Sequence, residues 1–166
     1  LSLDAVVGPQ IGKNLKPIRL TPTHNWAKAN GASFTETGLW LRAEWYSKKN
    51  EKKWRESVDR EVISVRNSVG FCDVSTLGKI DIQGRDAQDF INKIYSNGFA
   101  KLPIGKVRYG LMLREDGIVM DDGTTARMSE NHFIMTTTTI NAESVYRHLE
   151  FCHQCLLNEK ISETAM

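Results

Sequence analysis

Asp121 and Asp122 are adjacent carboxylates that close a strand-like run following a tight Glu115-Asp116-Gly117 turn. A carboxylate in such a run could hold a cationic or N–H-bearing ligand, or accept a proton, with its acidity set by burial. Alternate residues of a strand point to opposite faces, so at most one of the two Asp side chains can face a given pocket. The bland reading is a hairpin flank, with one carboxylate solvated and the other satisfying turn or backbone amides. Tyr109 lies on the opposite flank, either a core or edge aromatic or one wall of a site for a planar ligand. Parity does not decide whether it shares a face with Asp122, because the turn can reset the register. The Thr136–Thr139 run is β-branched and fits a sheet, and its alternate hydroxyls could bond a polar ligand edge. Arg66, Arg108, Arg114 and Arg127 could each meet a carboxylate, and nothing in the sequence chooses among them.

The run Cys152-His153-Gln154-Cys155 is a CxxC. A structural zinc site wants a second pair at matching spacing, and only Cys72 and His148 remain, so no metal site is expected. A thioredoxin-type redox motif would open a helix after a strand, whereas this one lies late in a helix. The preferred reading is a packed Cys152 and a Cys155 near a fraying end. The glycines at 78, 84 and 105 are separate turn residues, and no dinucleotide-binding or phosphate-loop spacing occurs.

The elements that must position these residues follow from periodicity. Residues 1 to about 20 contain Gly8-Pro9, Gly12 and Pro17 without a sustained period and read as an extended arm or linker. From Thr21 to Tyr46 the chain is rich in aromatics (Trp26, Phe34, Trp40, Trp45, Tyr46), expected to fill core, with a strand around Leu39 to Trp45. Glu51 to Ser68 carries Trp54, Val58, Val62 and Val65 at helical spacing, with Gly70 as a stop. Phe71 to Val74 is a short strand candidate, and Lys79 to Gln83 alternates as a half-exposed strand. After Gly84-Arg85-Asp86 a helix presents Ala87, Phe90, Ile91 and Ile94 on one face. Leu102 to Gly105 is a loop leading into a strand through Tyr109 to Leu113. Strands are expected over Thr124 to Met128 and His132 to Thr138. Asn141 is expected to cap a last helix bearing Val145, His148, Leu149, Cys152 and Leu156. This order predicts an α+β fold, an antiparallel or mixed sheet with helices on one face, rather than a doubly wound parallel sheet. A further strand is wanted after residue 160.

Bulk properties exclude several function classes. Of 166 residues, 22 are basic and 20 acidic, a net charge of +2, so no strong field argues for nucleic acid. The Lys48–Arg55 cluster is interrupted by Glu51 and reads as a solvated helix start. No apolar stretch approaches the roughly 20 residues of a membrane span, and no leader is expected. The cysteine count of three points to reduced thiols and a cytoplasmic location rather than a disulfide framework. Both ends are expected to continue into something longer.

The runs Phe71–Gly84, Ile94–Asn97, Arg108–Gly117 and Asp121–Arg127 resemble the folate-binding fold of the glycine cleavage T-protein (aminomethyltransferase) superfamily. Thr21–His24, Thr136–Thr139 and His148–His153 are similar to the branch formed by alpha subunits of heterotetrameric sarcosine oxidases. The resemblance extends from about Arg19 to Leu157. It implies a partial T-protein-like domain, with a ferredoxin-like half, in which residues 21–166 form the N-terminal part and the C-terminal part is missing. It implies tetrahydrofolate as the bound cofactor, with FAD or FMN and NAD only in parts of the complex outside this chain. The implied partners are the other subunits of a heterotetramer, with no nucleic acid and no membrane. The implied activity is capture of the one-carbon unit from oxidative demethylation of sarcosine as 5,10-methylenetetrahydrofolate, and the isolated fragment is expected to be inactive. On this resemblance Asp122 is the catalytic carboxylate near the folate nitrogens, and Asp121 is its structural partner. Tyr109, Thr124 and Thr138 line the pocket with Asp122. T-proteins usually carry an apolar or aromatic residue at the positions of Thr124 and Ala126, and Asn at Thr138, which favours the sarcosine oxidase branch. The alternatives are a T-protein-like aminomethyltransferase or demethylase without a flavin partner, and a non-catalytic folate-fold assembly module.

Overall fold

The computed structural model describes residues 18–156 and 164–165. They fall into two compact units, which divide between Thr76 and Leu77. Most of the expected N-terminal arm lies outside the described residues, but Arg19–Leu20 form β1, which pairs in parallel with a later strand.

In the first unit, β1 is followed by a short helix α1 (His24–Ala29), β2 (Ala32–Thr37), β3 (Trp40–Tyr46) and helix α2 (Trp54–Asn67). The sheet order is β1-β3-β2, with β2 and β3 antiparallel around the Gly38 turn. The strand at β3 was legible, whereas α1 and β2 were not. Their sequences, HNWAKA and ASFTET, carry no sustained apolar period. Polar side chains tie α2 to the end of β3: Arg60 donates to the Tyr46 carbonyl at 2.6 Å and to Glu51 at 2.5 Å, and Tyr46 N donates to Glu61 at 2.7 Å. The Arg60 hydrogen bond, followed by donation from Ser57, holds the Glu51 carboxyl down at about 2.

Four expectations fail in this unit. The helix at α2 forms, but Trp54, Val62 and Val65 stand more than 40% exposed, and the side chain it buries is Ser57. Periodicity found the apolar stripe without supplying a surface to cover it. Among the aromatics expected in the core, Trp26 is 61% exposed. The Phe71–Val74 strand does not form; Asp73 instead accepts from its own chain at Ser75 N (2.9 Å), a local turn that competes with strand pairing. Thr23 also donates to Asp73, and the two donors, Ser75 first, hold that carboxyl near 2. Helix α2 ends at Asn67, and Gly70 is not in the left-handed conformation a glycine stop uses.

The second unit carries β4 (Gly78–Gly84), α3 (Ala87–Ile94), β5 (Val107–Leu113), β6 (Val119–Ser129), β7 (His132–Thr137), α4 (Ala142–Phe151) and β8 (Thr164–Ala165). A π-helical turn, Cys152–Leu156, extends α4. The sheet order is β5-β6-β7-β4-β8 and every pair is antiparallel. The order β8-β4-β7-β6 is that of a ferredoxin-like split βαβ sheet, with β5 added at one edge. The strand expected after residue 160 is therefore present as β8, joined to β4 at Gln83 and Gly84.

One face of this sheet is covered by helices. Strict alternation buries Ile80 and Ile82 of β4 and Phe133 and Met135 of β7, while Lys79, Asp81 and Gln83 point the other way. Against them pack Ala87, Phe90, Ile91 and Ile94 of α3 and Val145 and Leu149 of α4. Full burial of a large apolar side chain contributes about 1.5–3 kcal/mol, so this layer dominates the unit's stability. The fold is α+β with helices on one face of the sheet, as its element order predicts.

Candidate functional site

The site is set by the β5–β6 hairpin. Its turn, Arg114 to Gly117, closes with Gly117 N donating to Arg114 O and Arg114 N to Ile118 O, each at 2.9 Å. Gly117 takes φ +81°, a left-handed position that a side chain would strain. One step into the ladder the register shifts: Met112 faces Asp121, yet Leu113 faces Val119, leaving Met120 as an extra residue on β6. Such a bulge re-aims the side chains that follow it. Asp121 then lies opposite the buried Met112, and Asp122 lies opposite the exposed Leu111.

The two carboxylates consequently live in different surroundings. Asp121 is 5% exposed and accepts from Thr138 Oγ1 (2.6 Å), Thr138 N (3.0 Å) and Asn141 Nδ2 (3.1 Å). Asn141 also donates to the Met120 carbonyl at 3.2 Å, tying the bulge to the start of α4. Asn141 stands at the N-cap position of α4 as expected, but its side chain makes no capping bond; it is turned toward β6, where its Nδ2 donates. Asp122 is half-buried on the face without helices, where Tyr109 Oη donates to its Oδ2 at 2.5 Å. That hydrogen bond, ahead of burial and the Coulombic effect of the same carboxylate, raises the Tyr109 phenol above its ordinary value and keeps it a donor. Asp122 Oδ1 has no hydrogen-bond partner among the described residues.

Thr124, directly across from Tyr109, shares this open face. The Thr136 hydroxyl holds it by accepting from Thr124 N (2.9 Å) and pairing with Thr124 Oγ1 (2.9 Å). A side-chain oxygen thus replaces the backbone ladder at this point, next to Gly123, where an added Cβ would lie 2.0 Å from the Thr136 carbonyl oxygen. The structure brings Tyr109, Asp122 and Thr124 together. It does not bring the Thr138 hydroxyl to them: that group serves Asp121.

Several other candidates have structural employment. Arg127 donates to the carbonyls of Leu102 (2.9 Å) and Glu130 (3.0 Å), with its guanidinium 5.3 Å from the Phe133 ring centroid. Arg108 donates to Gly98 O, and Arg114 pairs with Asp116 at 2.8 Å. Arg66 belongs to the first unit, on the exposed flank of α2. Cys152 is buried, which raises its thiol, and lies 3.5 Å from His148 Nε2, while Cys155 is exposed. No group of three potential ligands gathers around a metal-sized space among the described residues. No helix among them is long and apolar enough to cross a membrane.

Two residues of the site entered the sequence analysis only as members of the Ile94–Asn97 run, without a role of their own. Asn97 Nδ2 donates to Tyr109 O (2.9 Å), and its Oδ1 accepts from Leu111 N (3.3 Å). Ser96 N and Oγ both donate to Leu111 O at 2.9 Å. Their partners lie 12 to 15 positions away, beyond the reach of any local pattern.

Comparison with known proteins places the chain in a family and a fold. The model of the GCVT N-terminal domain family matches residues 23–165. The chain is 56% identical to the sarcosine oxidase subunit alpha of Rhizobium meliloti (strain 1021) over 94% of its own length and 16% of that protein's. It is 47% identical to the subunit of the same name from Corynebacterium sp. (strain P-1), over 88% and 15% of the two lengths. An aminomethyltransferase of Thermotoga neapolitana is 32% identical over 80% of the chain and 34% of the relative. The chain thus spans about one sixth of the alpha subunits it matches and about one third of the aminomethyltransferase. In fold it resembles the glycine cleavage system aminomethyltransferase T of Bartonella henselae, with a TM-score of 0.70 at 21% identity, over 89% of this chain and 37% of that one. Matched by the family model over residues 23–165, nearly all those the structure describes, this chain is a member of the GCVT N-terminal domain family.

Proposed function

We propose that this chain is part of a sarcosine oxidase alpha subunit and contributes the first part of its tetrahydrofolate-binding region, acting where the one-carbon unit from sarcosine demethylation is captured. The observation that carries this reading is the Tyr109–Asp122 hydrogen bond on the uncovered face of the sheet. The donor set suits a reduced pterin: an exposed aromatic ring against which a planar ring system can stack, a carboxylate oxygen that can accept N–H, and the Thr124 hydroxyl beside them. When bound, tetrahydrofolate supplies the two nitrogens, N5 and N10, that carry the one-carbon unit.

With tetrahydrofolate bound, Asp122 would accept a hydrogen bond from that nitrogen region and would stabilise positive charge developing there. Tyr109 holds Oδ2, so the carboxylate is oriented before the ligand arrives and little reorganisation accompanies reaction. Thr124 offers a hydroxyl whose direction is governed by Thr136. Asp121 and Thr138 act on the backbone that bears Asp122. Flavin and nicotinamide chemistry, and the further subunits of a heterotetramer, belong to parts of the complex outside this chain, and a cytoplasmic location is part of the same reading.

The test uses the intact protein carrying this chain. Asp122→Asn should abolish tetrahydrofolate-dependent formaldehyde capture while sarcosine oxidation continues, and Asp121→Asn should retain capture in the folded fraction. The reverse ranking would overturn the role given to Asp122. An intact reading frame without an upstream dinucleotide-binding domain would replace the oxidase assignment with an aminomethyltransferase that has no flavin partner.

A further inference from the structure

We infer that Asn97 is a positioning residue for Tyr109, acting from the far side of β5 by taking the place of a missing neighbouring strand. Strand β5 ends the sheet, and beyond it the pairing continues only as an isolated antiparallel bridge from Tyr95 to Met112, so no strand reaches the outward groups of Tyr109 O and Leu111 N. A carboxamide carries the same donor and acceptor as a peptide group. Asn97 uses both, donating through Nδ2 to Tyr109 O (2.9 Å) and accepting through Oδ1 from Leu111 N (3.3 Å). The next outward acceptor, Leu111 O, is taken by Ser96 N and Oγ, each at 2.9 Å.

These outward-pointing groups carry a second consequence. Because the polar groups of 109 and 111 point away from β6, Tyr109 opposite Thr124 and Leu111 opposite Asp122 are the non-hydrogen-bonded pairs of the hairpin. In such pairs the Cα atoms approach to about 4.5 Å rather than about 5.5 Å, so side chains on the shared face come closer. The diagonal reach from Tyr109 Oη to Asp122 depends on that closeness, and Asn97 holds the strand to it. Only β5 benefits from the clamp, and within β5 only the segment bearing the phenol.

Asn97→Asp is nearly isosteric and isolates the role, since a carboxylate still accepts from Leu111 N but cannot donate to Tyr109 O. The readout is the titration of Tyr109 in the 166-residue chain, followed by the NMR shift of a ¹³Cζ-labelled tyrosine assigned with Tyr109→Phe. The expected result is a Tyr109 midpoint moving down, toward that seen in Asp122→Asn, with the melting transition still cooperative. An unmoved midpoint in Asn97→Asp would overturn the inference. If Asn97→Asp does not fold, Asn97→Ala carries the same titration test, because water can reach this exposed edge.

The ligand arm rests on the tetrahydrofolate reading above. In the intact protein, Asn97→Asp should weaken tetrahydrofolate binding about three- to tenfold, the net worth of one hydrogen bond. Combined with Tyr109→Phe it should add nothing further. Effects that add would show that Asn97 works independently of Tyr109 and would also overturn the inference. Failure of every form to bind tetrahydrofolate would sink the proposed function alone, since the Tyr109 titration still decides the positioning role.

Discussion

On the helix-covered face of the five-stranded sheet, Ile80, Ile82, Phe133 and Met135 are at most 7% exposed and belong to one apolar cluster. On the opposite face the same strands carry Lys79, Asp81, Tyr109, Asp122, Thr124, Thr136 and His132, joined by short polar contacts such as His132 Nε2 to Asp81 Oδ1 at 3.0 Å. Asp121 and Asp122 sit astride the boundary: one residue of register separates a carboxylate saturated by protein donors from one with an oxygen to offer. The same side-chain type is a structural tie on one face and a candidate reactive group on the other. What differs is the number of donors already aimed at it.

Substitutions can break this contrast. The largest effect is expected from Phe133→Ala, which opens a cavity under both helices and should cost about 3–5 kcal/mol in urea unfolding. A loss under about 1 kcal/mol would mean that the covered face is not the stabilising layer. Next comes Asp121→Ala, which leaves the Thr138 amide, the Thr138 hydroxyl and the Asn141 amide without their acceptor. It should destabilise by about 1–3 kcal/mol, measured the same way. Asp122→Asn belongs to the open face and should lower the urea midpoint by far less than Asp121→Ala. A loss matching that of Asp121→Ala would erase the distinction between the two carboxylates.

The smallest effect is in pH dependence. The Tyr109 phenol is raised, first by its hydrogen bond to Asp122, so its neutral form is favoured in the folded chain. Its contribution is present in full below the ordinary tyrosine value of 10.0 and is lost as pH rises through the higher folded value. Asp122→Asn should flatten that alkaline loss of stability in a melting series from pH 9 upward. Persistence of the same slope would place its origin in another tyrosine, of which Tyr95, raised chiefly by burial, is the first to examine.

Legibility in the sequence followed the range of the interactions. Strand β4 and helix α3 could be read nearly residue by residue, because alternation at Ile80 and Ile82 and a 3–4 spacing at Ala87, Phe90, Ile91 and Ile94 are local signals with strong burial behind them. The α2 stripe of Trp54, Val62 and Val65 was equally periodic and yet stands exposed, since periodicity reports which face is apolar and not what covers it. Asn141 was rightly placed at the N-cap of α4, but the use of its side chain was not legible, because its amide reaches Met120 and Asp121 some 20 residues back. Thr138 was grouped with Asp122 through family resemblance, but its hydroxyl donates to Asp121 instead. Asn97 and Thr136 lay in runs the sequence singled out, but their partners were not legible for the same reason: each acts on a group far along the chain that only the tertiary fold brings near.

From the sequence alone came the element order from β4 to α4, the antiparallel α+β class, the tight Glu115-Asp116-Gly117 turn and the rule that Asp121 and Asp122 must point to opposite faces. These depend on backbone geometry and on apolar residues recurring within a few positions. Tertiary structure decided which Asp faces which way. The choice hangs on the extra residue Met120 in β6, on an Asn from α4 and a Thr from β7 converging on Asp121, and on a phenol from β5 reaching Asp122. A one-residue bulge inverts every side chain beyond it while barely altering local composition, so the residues that give Asp122 its surroundings are fixed by pairing across the sheet.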